Sequence, residues 1–323
     1  MLDALGVDLG RFLGDPERTQ EGDHDIVAVP AFLRQPVLTV SFHQSDVRWT
    51  LGGRGRVSSS GRVALPEGSL SDGVVVQPDI AGRLLRDDPG FPGRGRMQVV
   101  LALPAQRSVF RILELPAVRG KQFDELVNRE IRRELPMMAD NAYVSWTRLP
   151  DRGGRAAVFI VAVARDVLDS HTSAARAAGL HPQSADLRVI AAARAVGQPD
   201  CVIASVEEDE AEVAIFRDGM PSIVRHIDMA PHLGEAEWIH QLAEELVRTL
   251  KYYRDTHRDD ELAGELPITF VGDAAPRAMF APEIRELTGR DVAMPPLRLV
   301  LSPEKDTISF AANVGLALKD IAA

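Results

Sequence analysis

The side chains best suited to chemistry are the carboxylates of one acidic run, Glu207-Glu208-Asp209-Glu210. Carboxylate oxygens can bind a divalent cation when several of them point at one centre. Consecutive residues on an extended chain point to opposite faces, so these four cannot all converge on one ion. The run therefore predicts a solvated hairpin tip rather than a metal site.

The eight histidines and the single cysteine form no catalytic pattern. His226, His232 and His240 lie close in sequence without the spacing of a metal site, so we expect them at the surface or at helix ends. Cys201 opens an apolar segment and is expected to be a small buried hydrophobe. The sequence contains no GxSxG, HExxH or Walker motif. We predict no catalytic residue and no metal ligand.

Composition is that of a soluble globular protein. The chain has 323 residues, of which 45% are hydrophobic and 26% charged, and a net charge of −10. An acidic surface repels the phosphates of nucleic acids and anionic lipids, so neither is an expected partner. No segment reaches the roughly 20 apolar residues of a membrane span, and the first residues do not read as a signal peptide. A lone cysteine fits a reducing compartment, so we expect a cytoplasmic protein.

Hydrophobic spacing predicts two similar halves that must position these residues. Strands are indicated in VLTVSFHQSDVRWTL and in the following Gly-rich meander, and then come a helix and the apolar strand MQVVLALP. The second half repeats this order, with three strands in CVIASVEEDEAEVAIFRDGMPSIVRHID, a long helix from Trp238 to Asp255 and the strand LPITFVGDA. Repetition of one architecture predicts an internal duplication.

A compact α+β segment separates the halves. RSVFRILELP alternates as a strand, and KQFDELVNREIRREL has one apolar face and ends before Pro136, as an amphipathic helix does. AYVSWTRLP and RAAVFIVAVA flank the turn DRGGR and predict a hairpin. ARDVLDSHTSAARAAG predicts a helix that Gly179 ends.

Several strings, in the same order along residues 37–320, resemble the PilM family, relatives of FtsA in the actin/Hsp70-like superfamily. The strongest is VVLALPAQRSVFRILELP followed by FDELVNREIRRELP. The others are LPEGSLSDGVVVQPD, VAVARDVLDSHTSAARAAGL, AIFRDG, LVRTLKYYRD and FAANVGLALK. The resemblance implies a function in type IV pilus assembly.

The resemblance also implies an α/β, two-lobed actin-like ATPase fold with an α+β domain inserted in the first lobe. Residues 37–104 and 186–200 would form the first lobe, 105–185 the inserted domain and 201–323 the second lobe. Residues 1–36 would be an N-terminal extension, ordered in part at most. The terminal helix ISFAANVGLALKDI is expected to pack in the second lobe.

An actin-type nucleotide site needs two Gly-rich turns whose backbone N–H groups hold phosphates, with carboxylates that position Mg²⁺. Residues 6–10 (GVDLG) resemble such a turn, but no hairpin follows them. Alignment by the hairpin instead places Ser41 at the carboxylate, His43 at the glycine and Ser45 in the turn. In the second turn the equivalent positions are Ser205 and Glu207, and Gly272 is the one glycine left at the adenine end. We therefore predict a degenerate nucleotide site and no cofactor.

PilM-like proteins bind the cytoplasmic tail of the inner-membrane protein PilN beside the inserted domain. The resemblance therefore implies a PilN-like tail as partner, together with pilus motor or platform proteins, and a location at the inner face of the membrane. An apolar groove could accept such a peptide by strand addition or in side-chain pockets. Candidate groove residues are Val109, Ile112, Leu113, Leu126, Glu130, Arg133, Met137 and Met138.

Two other functions stay open. One is a working ATPase, or an ATP-switched scaffold, that binds Mg-ATP through a distorted turn at Ser41–Ser45. The other is a polymerising relative of the cell-division actins. Titration with Mg-ATP and pelleting by ultracentrifugation separate these from an adaptor.

Overall fold

The computed structural model of this chain describes residues 7–8, 35–53, 56–93, 95–118, 120–136, 138, 141–230, 233–258, 262, 266–279, 281–299 and 307–319. The strands are β1 (Val7–Asp8), β2 (Val37–Phe42), β3 (Asp46–Gly53), β4 (Arg56–Ala64), β5 (Leu70–Ser71), β6 (Val74–Val75), β7 (Gln98–Leu103), β8 (Ser108–Leu115), β9 (Ala142–Arg152), β10 (Arg155–Ala164), β11 (Ser184–Leu187), β12 (Cys201–Val206), β13 (Glu210–Arg217), β14 (Met220–Asp228), β15 (Ile268–Val271) and β16 (Val292–Ala293). The helices are α1 (Pro78–Asp87), α2 (Lys121–Glu134), α3 (Arg165–Ala177), α4 (Arg188–Val196), α5 (Glu235–Thr256), α6 (Ala275–Met279), α7 (Pro282–Thr288) and α8 (Ala311–Lys319), with a 3₁₀ turn at Ile308–Phe310.

Two sheets of the same topology form the centre of the molecule. The first runs β4-β3-β2-β7-β11, with β2–β4 as an antiparallel meander and β7 and β11 parallel. The second runs β14-β13-β12-β15-β16, again a meander followed by two parallel strands. Long apolar runs in β2, β7 and β12 are buried on both faces, as strands covered by helices require. The duplication predicted from the repeated sequence pattern is thus present strand for strand.

The inserted domain is a three-stranded antiparallel sheet, β8-β10-β9, covered on one face by α2. The β9–β10 hairpin turns at Gly153 and Gly154, which have φ of 54° and 78°. Both central positions of such a turn require positive φ, so glycine is favoured at each. The sheet has two edge strands, β8 and β9.

The predicted insert, residues 105–185, is longer than this sheet. β10 ends at Ala164, and α3 then packs against α1 and lies in the core of the first lobe with Val167, Leu168 and Ala174. Gly82 of α1 allows that contact, because a Cβ there would lie 2.3 Å from the carbonyl oxygen of Ala174. The helix therefore serves as the crossover from β7 to β11, with the small sheet placed ahead of it.

The terminal helix α8 packs on the first lobe, so its predicted place in the second lobe was wrong. Val314 and Leu318 belong to the apolar core of the first lobe, and α8 lies against α4. A Cβ at Gly315 would come within 1.7 Å of the Ala191 carbonyl oxygen. The absence of a side chain at this position lets the two helices approach closely.

Within the predicted N-terminal extension, the structure describes Gln35 and Pro36, which precede β2, and Val7 and Asp8, which form β1. Val7 and Asp8 pair antiparallel with Ala185 and Ser184 of β11. β11 and β7 stand between this short strand and β2. Val7 and Asp8 therefore lie away from the β2–β3 turn, although the sequence around them resembles a phosphate turn.

Among the described residues, no helix is both long and apolar enough to cross a membrane.

Candidate functional site

The candidate site is the cleft where the first hairpin turns of the two sheets face each other. The β2–β3 turn is closed by a hydrogen bond from the His43 amide to the Asp46 carbonyl oxygen, 2.8 Å long. The β12–β13 turn is closed in the same way, from the Glu207 amide to the Glu210 carbonyl oxygen, also 2.8 Å. His43 and Glu207 thus occupy equivalent positions in the duplicated sheets, as the sequence alignment predicted.

Arg48, on β3, lies at the centre of the cleft with 1% of its surface exposed. Its guanidinium forms a bidentate pair with Glu207, with N–O distances of 3.0 and 2.6 Å. It also donates to Asp46 at 2.9 Å, to Asp273 at 2.9 Å and to the Ser309 carbonyl oxygen at 2.7 Å. Arg48 belongs to the first lobe and Glu207 and Asp273 to the second, so one cation joins both lobes.

Arg188, the first residue of α4, forms a second buried centre. Its Nη2 lies 2.8 Å from Glu210 Oε2 and 3.2 Å from Glu212 Oε1. Glu212 Oε1 also accepts the Ala105 amide, at 2.6 Å. Arg188 and its two carboxylates are all buried, so the guanidinium offsets part of their negative charge away from water.

His43 connects the arginine centres to the end of β2. Arg188 Nη1 lies 3.0 Å from His43 Nδ1, and since a guanidinium can only donate, Nδ1 must accept. The proton is then on Nε2, which donates to Ser41 Oγ at 3.1 Å, and Ser41 Oγ donates to Asn313 Oδ1 at 2.9 Å. Burial and the nearby Arg48 and Arg188 hold the pKa of His43 well below its usual value. The imidazole is therefore neutral at pH 7.

The carboxylates of the cleft differ in how well they are compensated. Burial raises the pKa of Glu207 to about 7, against the opposing effect of Arg48. For Glu210, burial acts in the same direction, but the Arg188 guanidinium outweighs it and holds the pKa below its usual value. Arg62 and Arg48 likewise lower the pKa of Asp273 against the effect of burial. Of these three acids, Glu207 is therefore the one whose charged form is stabilised least.

Acidic residues 207–210 were predicted to form a solvated hairpin tip, and this was wrong for two of them. Glu207 and Glu210 are 7% and 5% exposed, while Glu208 is exposed and Asp209 intermediate. Glu207 and Glu210 oppose each other across the hairpin turn, so both carboxylates lie on its inward face, where arginines from the first lobe meet them. Within the described residues, no group of three or more potential ligands is arranged to hold a metal ion.

The six predicted nucleotide-site positions are only partly brought together. Ser41, His43 and Glu207 lie in the cleft network. Ser45 lies in the β2–β3 turn with its side chain exposed, and Ser205 lies on β12 opposite Glu212. Gly272 has a φ of 98°, and a Cβ at this position would lie 2.4 Å from the Val206 carbonyl oxygen. Glycine is therefore required for the close approach of the turn after β15 to β12.

Sequence reasoning missed Asp46, Arg48, Arg188, Glu210, Glu212 and Asp273. A signal for Arg48 was present: it stands in the middle of DVRWTL, a segment whose neighbours are all buried, and a buried guanidinium requires anionic partners. Nothing in the sequence indicated which carboxylates those would be, because Glu207 lies 159 residues further along the chain.

The predicted groove residues lie on both faces of the inserted sheet rather than in one groove. Val109, Leu113, Leu126 and Met138 pack against the core between the sheet and α2, whereas Ile112 packs on the opposite face, against the core of the first lobe. Glu130 is buried and pairs with the exposed Arg133 at 2.7 Å. Met137 lies outside the described residues. The separation follows from strand geometry, which turns successive side chains to opposite faces.

The outer edge of β8 does offer free backbone groups. The amide of Ala164 donates to the carbonyl oxygen of Arg107, and these residues continue the β8–β10 register. In an antiparallel ladder the hydrogen-bonded pairs alternate, so Val109, Arg111 and Leu113 bond to β10. Phe110, Ile112 and Glu114 therefore turn their N–H and C=O groups outward. The carbonyl oxygens of Phe110 and Glu114 accept hydrogen bonds from the Arg111 and Arg155 side chains, at 2.9 and 2.8 Å. Within the described residues, no strand pairs with that edge.

Two duplicated sheets that face each other across a cleft, with a small domain inserted in the first lobe, constitute the two-lobed actin-like ATPase fold. A solved structure described as a PilM-PilN type IV pilus biogenesis complex has a TM-score of 0.71 to this chain. It is 19% identical over 88% of this chain and 98% of the neighbour. The ethanolamine utilization protein EutJ from Carboxydothermus hydrogenoformans has a TM-score of 0.50, at 14% identity over 90% of this chain and 92% of its own. These likenesses show the fold.

No protein-family model matches the chain, and no curated protein sequence matches it either.

Proposed function

We propose that the chain is a non-catalytic scaffold of type IV pilus assembly that binds the tail of a PilN-like inner-membrane protein. The observation that carries the scaffold proposal is the pair of buried arginine centres in the cleft. Arg48 and Arg188, with the carboxylates they bind, occupy the space between the two turns at which an actin-type ATPase would hold phosphates. Support for the pilus assignment comes from the structural likeness to the PilM-PilN complex and from the ordered sequence strings.

The cleft is poorly suited to Mg-ATP for two physical reasons. A phosphate cradle needs bare backbone at each turn, and here His43 and Glu207 carry buried side chains at those positions. The carboxylates that could orient Mg²⁺ are already bound to the guanidinium groups of Arg48 and Arg188. To bind Mg²⁺, these carboxylates would have to release the arginines, which would leave the guanidinium groups buried without those partners. We therefore propose that the lobes are joined by protein side chains and need no nucleotide.

For the tail we propose strand addition to the outer edge of β8. This mode uses main-chain hydrogen bonds for affinity and alternate side chains for specificity. The outward amides of β8 are those of Phe110, Ile112 and Glu114. Most of the side chains along the strand are half-buried. The partner tail would place this scaffold at the inner face of the membrane, with pilus motor or platform proteins as its further partners.

Replacing Glu114 with proline is expected to weaken binding of the tail by on the order of tenfold. Proline removes an outward N–H, and the ladder to β10 uses the neighbouring residues, so the sheet itself should stay intact. Glu114→Ala is the matched control, because it removes the same exposed side chain and keeps the amide. Binding is measured by fluorescence anisotropy with a labelled synthetic peptide of the PilN-like tail. Equal affinities of the two variants would exclude strand addition at β8, and no binding to the wild-type chain would exclude the partner.

A further inference from the structure

A cavity of about 890 Å³ lies in the second lobe, at the C-terminal end of α5. None of its described lining residues belongs to the cleft network. Its apolar walls are formed by Val247 and Leu250 of α5, by Leu287 of α7 and by Leu262 between the two helices. Leu287 is 46% exposed, which is unusual for a large aliphatic side chain. The volume falls within the roughly 300–1,000 Å³ typical of binding pockets.

The polar lining of this cavity is basic. Lys251, Arg254, His257, Arg258 and Arg290 contribute to it, and no acidic residue does so among its described lining residues. Lys251, Arg254 and Arg258 make no ion pair with any residue in the described part of the chain. Arg290 donates to the carbonyl oxygens of Leu266 and Leu262, at 2.9 and 3.5 Å. Lys251, Arg254 and Arg258 thus adjoin apolar walls without a carboxylate partner among the described residues, on a chain of net charge −10.

Helix stability alone does not account for this arrangement. Cations in the last turn of a helix interact favourably with its dipole, which explains Arg254. It does not explain Arg258 and Arg290, which lie beyond α5 and beyond α7. Earlier on α5, Arg248 pairs with both Glu244 and Glu245, whereas Lys251 and Arg254 have no such carboxylate partner among the described residues.

We propose that this cavity binds an acidic peptide segment of a partner protein. An apolar side chain of the segment would pack between Leu250 and Leu287, and its carboxylates would pair with Lys251, Arg254 and Arg258. A compact phosphate ligand fits less well, because the cations are spread over the last turns of α5 and the residues after it, with apolar residues among them in the lining. This surface lies on the opposite lobe from β8, so the inference is independent of the proposed PilN-like tail.

The test compares three short fluorescein-labelled peptides on the full chain by anisotropy at low salt. One contains Glu, Leu and Gly, the second has Ser in place of Leu, and the third has Lys in place of Glu. We expect the Glu/Leu peptide to bind at least tenfold more tightly than the other two, and added salt to weaken it. Lys251→Glu with Arg254→Glu should reduce its affinity on the order of tenfold, and Lys251→Gln with Arg254→Gln by a smaller factor. Lys121→Glu with Arg132→Glu, exposed positions on α2, is the charge-matched control and should bind as the wild type does.

Four outcomes would overturn the proposal. Equal binding to the wild type and to the reversed-charge variant would show that the cavity is not the site. Displacement of the peptide by inorganic tripolyphosphate at equal concentration would indicate a phosphate ligand instead. A dimer in light scattering that the reversed-charge variant abolishes would identify a second copy of the chain as the occupant. Tighter binding after neutralisation of Asp259, Asp260 and Glu261, which follow Arg258 in the sequence, would identify that segment as the occupant.

Discussion

Replacing Arg48 with methionine is expected to lower the free energy of unfolding by about 3–5 kcal/mol, since it leaves buried carboxylates without their cation. Asp46, Glu207 and Asp273 all lose a donor, and Glu207, whose pKa burial already raises to about 7, loses its bidentate partner. Because these contacts join the two lobes, the loss should appear in global unfolding rather than in one lobe alone. Urea denaturation at pH 7.5 measures it.

Arg62→Met is the matched control for Arg48. Arg62 also pairs with Asp46 and Asp273, but its side chain is 39% exposed, so its removal should cost no more than about 1 kcal/mol. Adding Glu207→Gln to the Arg48 variant should restore part of the lost stability, because it removes one uncompensated buried charge. A loss below about 1 kcal/mol for the Arg48 variant would mean that the buried network does not hold the lobes together.

Acidification is expected to destabilise the protein through His171. This histidine is fully buried against the edge of Phe42, with Nδ1 donating to the Val167 carbonyl oxygen at 2.8 Å. Its Nε2 has no hydrogen-bond partner, so a proton there would be buried without an acceptor. Burial, assisted by the charge of Arg188, lowers the pKa of His171 to about 4.

The sign of this effect follows from proton binding. Below pH 6.5 the unfolded chain binds a proton at this position and the folded chain does not, so stability falls as the pH falls from 6.5 towards 4. The full shift corresponds to about 3 kcal/mol, of which about 2 kcal/mol is lost by pH 5. Protonation of His43, whose pKa is also lowered, acts in the same direction.

Urea denaturation at pH 7.5 and at pH 5 checks the prediction for His171. The variant His171→Phe keeps an aromatic ring beside Phe42 and cannot titrate. Its loss of stability between the two pH values should be smaller than that of the wild type by about 2 kcal/mol. Parallel losses in both proteins would show that His171 is protonated as easily in the folded state as in the unfolded state.

Local patterns predicted much of this fold, because they reflect local physics. The alternation and paired glycines of the β9–β10 hairpin and the apolar face of α2 all predicted the elements that form. The repeat of a meander, a helix and a strand predicted two sheets with one topology. The equivalence of His43 and Glu207 also followed from the hairpins that contain them.

What the sequence could not predict are contacts between distant segments. The terminal helix α8 was assigned to the lobe that precedes it in the chain, yet Gly315 lets it pack against α4 of the other lobe. The inward direction of Glu207 and Glu210 depends on Arg48 and Arg188, and no local pattern joins these residues. The predicted groove residues do not share one surface for a related reason, because Ile112 and Leu113 belong to opposite faces of one strand.

Under the proposed function, the arginine centres would hold the two lobes together in place of a nucleotide. In the proposed scaffold, Arg48 joins β3 to Glu207 and Asp273, and Arg188 joins α4 to Glu210 and Glu212. Both cations thus connect one lobe to the other across the cleft. A fixed relative position of the lobes would keep the β8 edge and the basic cavity of the second lobe at a constant separation.

Isothermal titration of the wild-type chain with Mg-ATP tests this account most directly. We predict no saturable heat up to millimolar nucleotide, because the arginines of the cleft are already paired with its carboxylates. Stoichiometric binding with a micromolar Kd would contradict the account, since phosphates would then have to displace Arg48 or Arg188 from their buried partners.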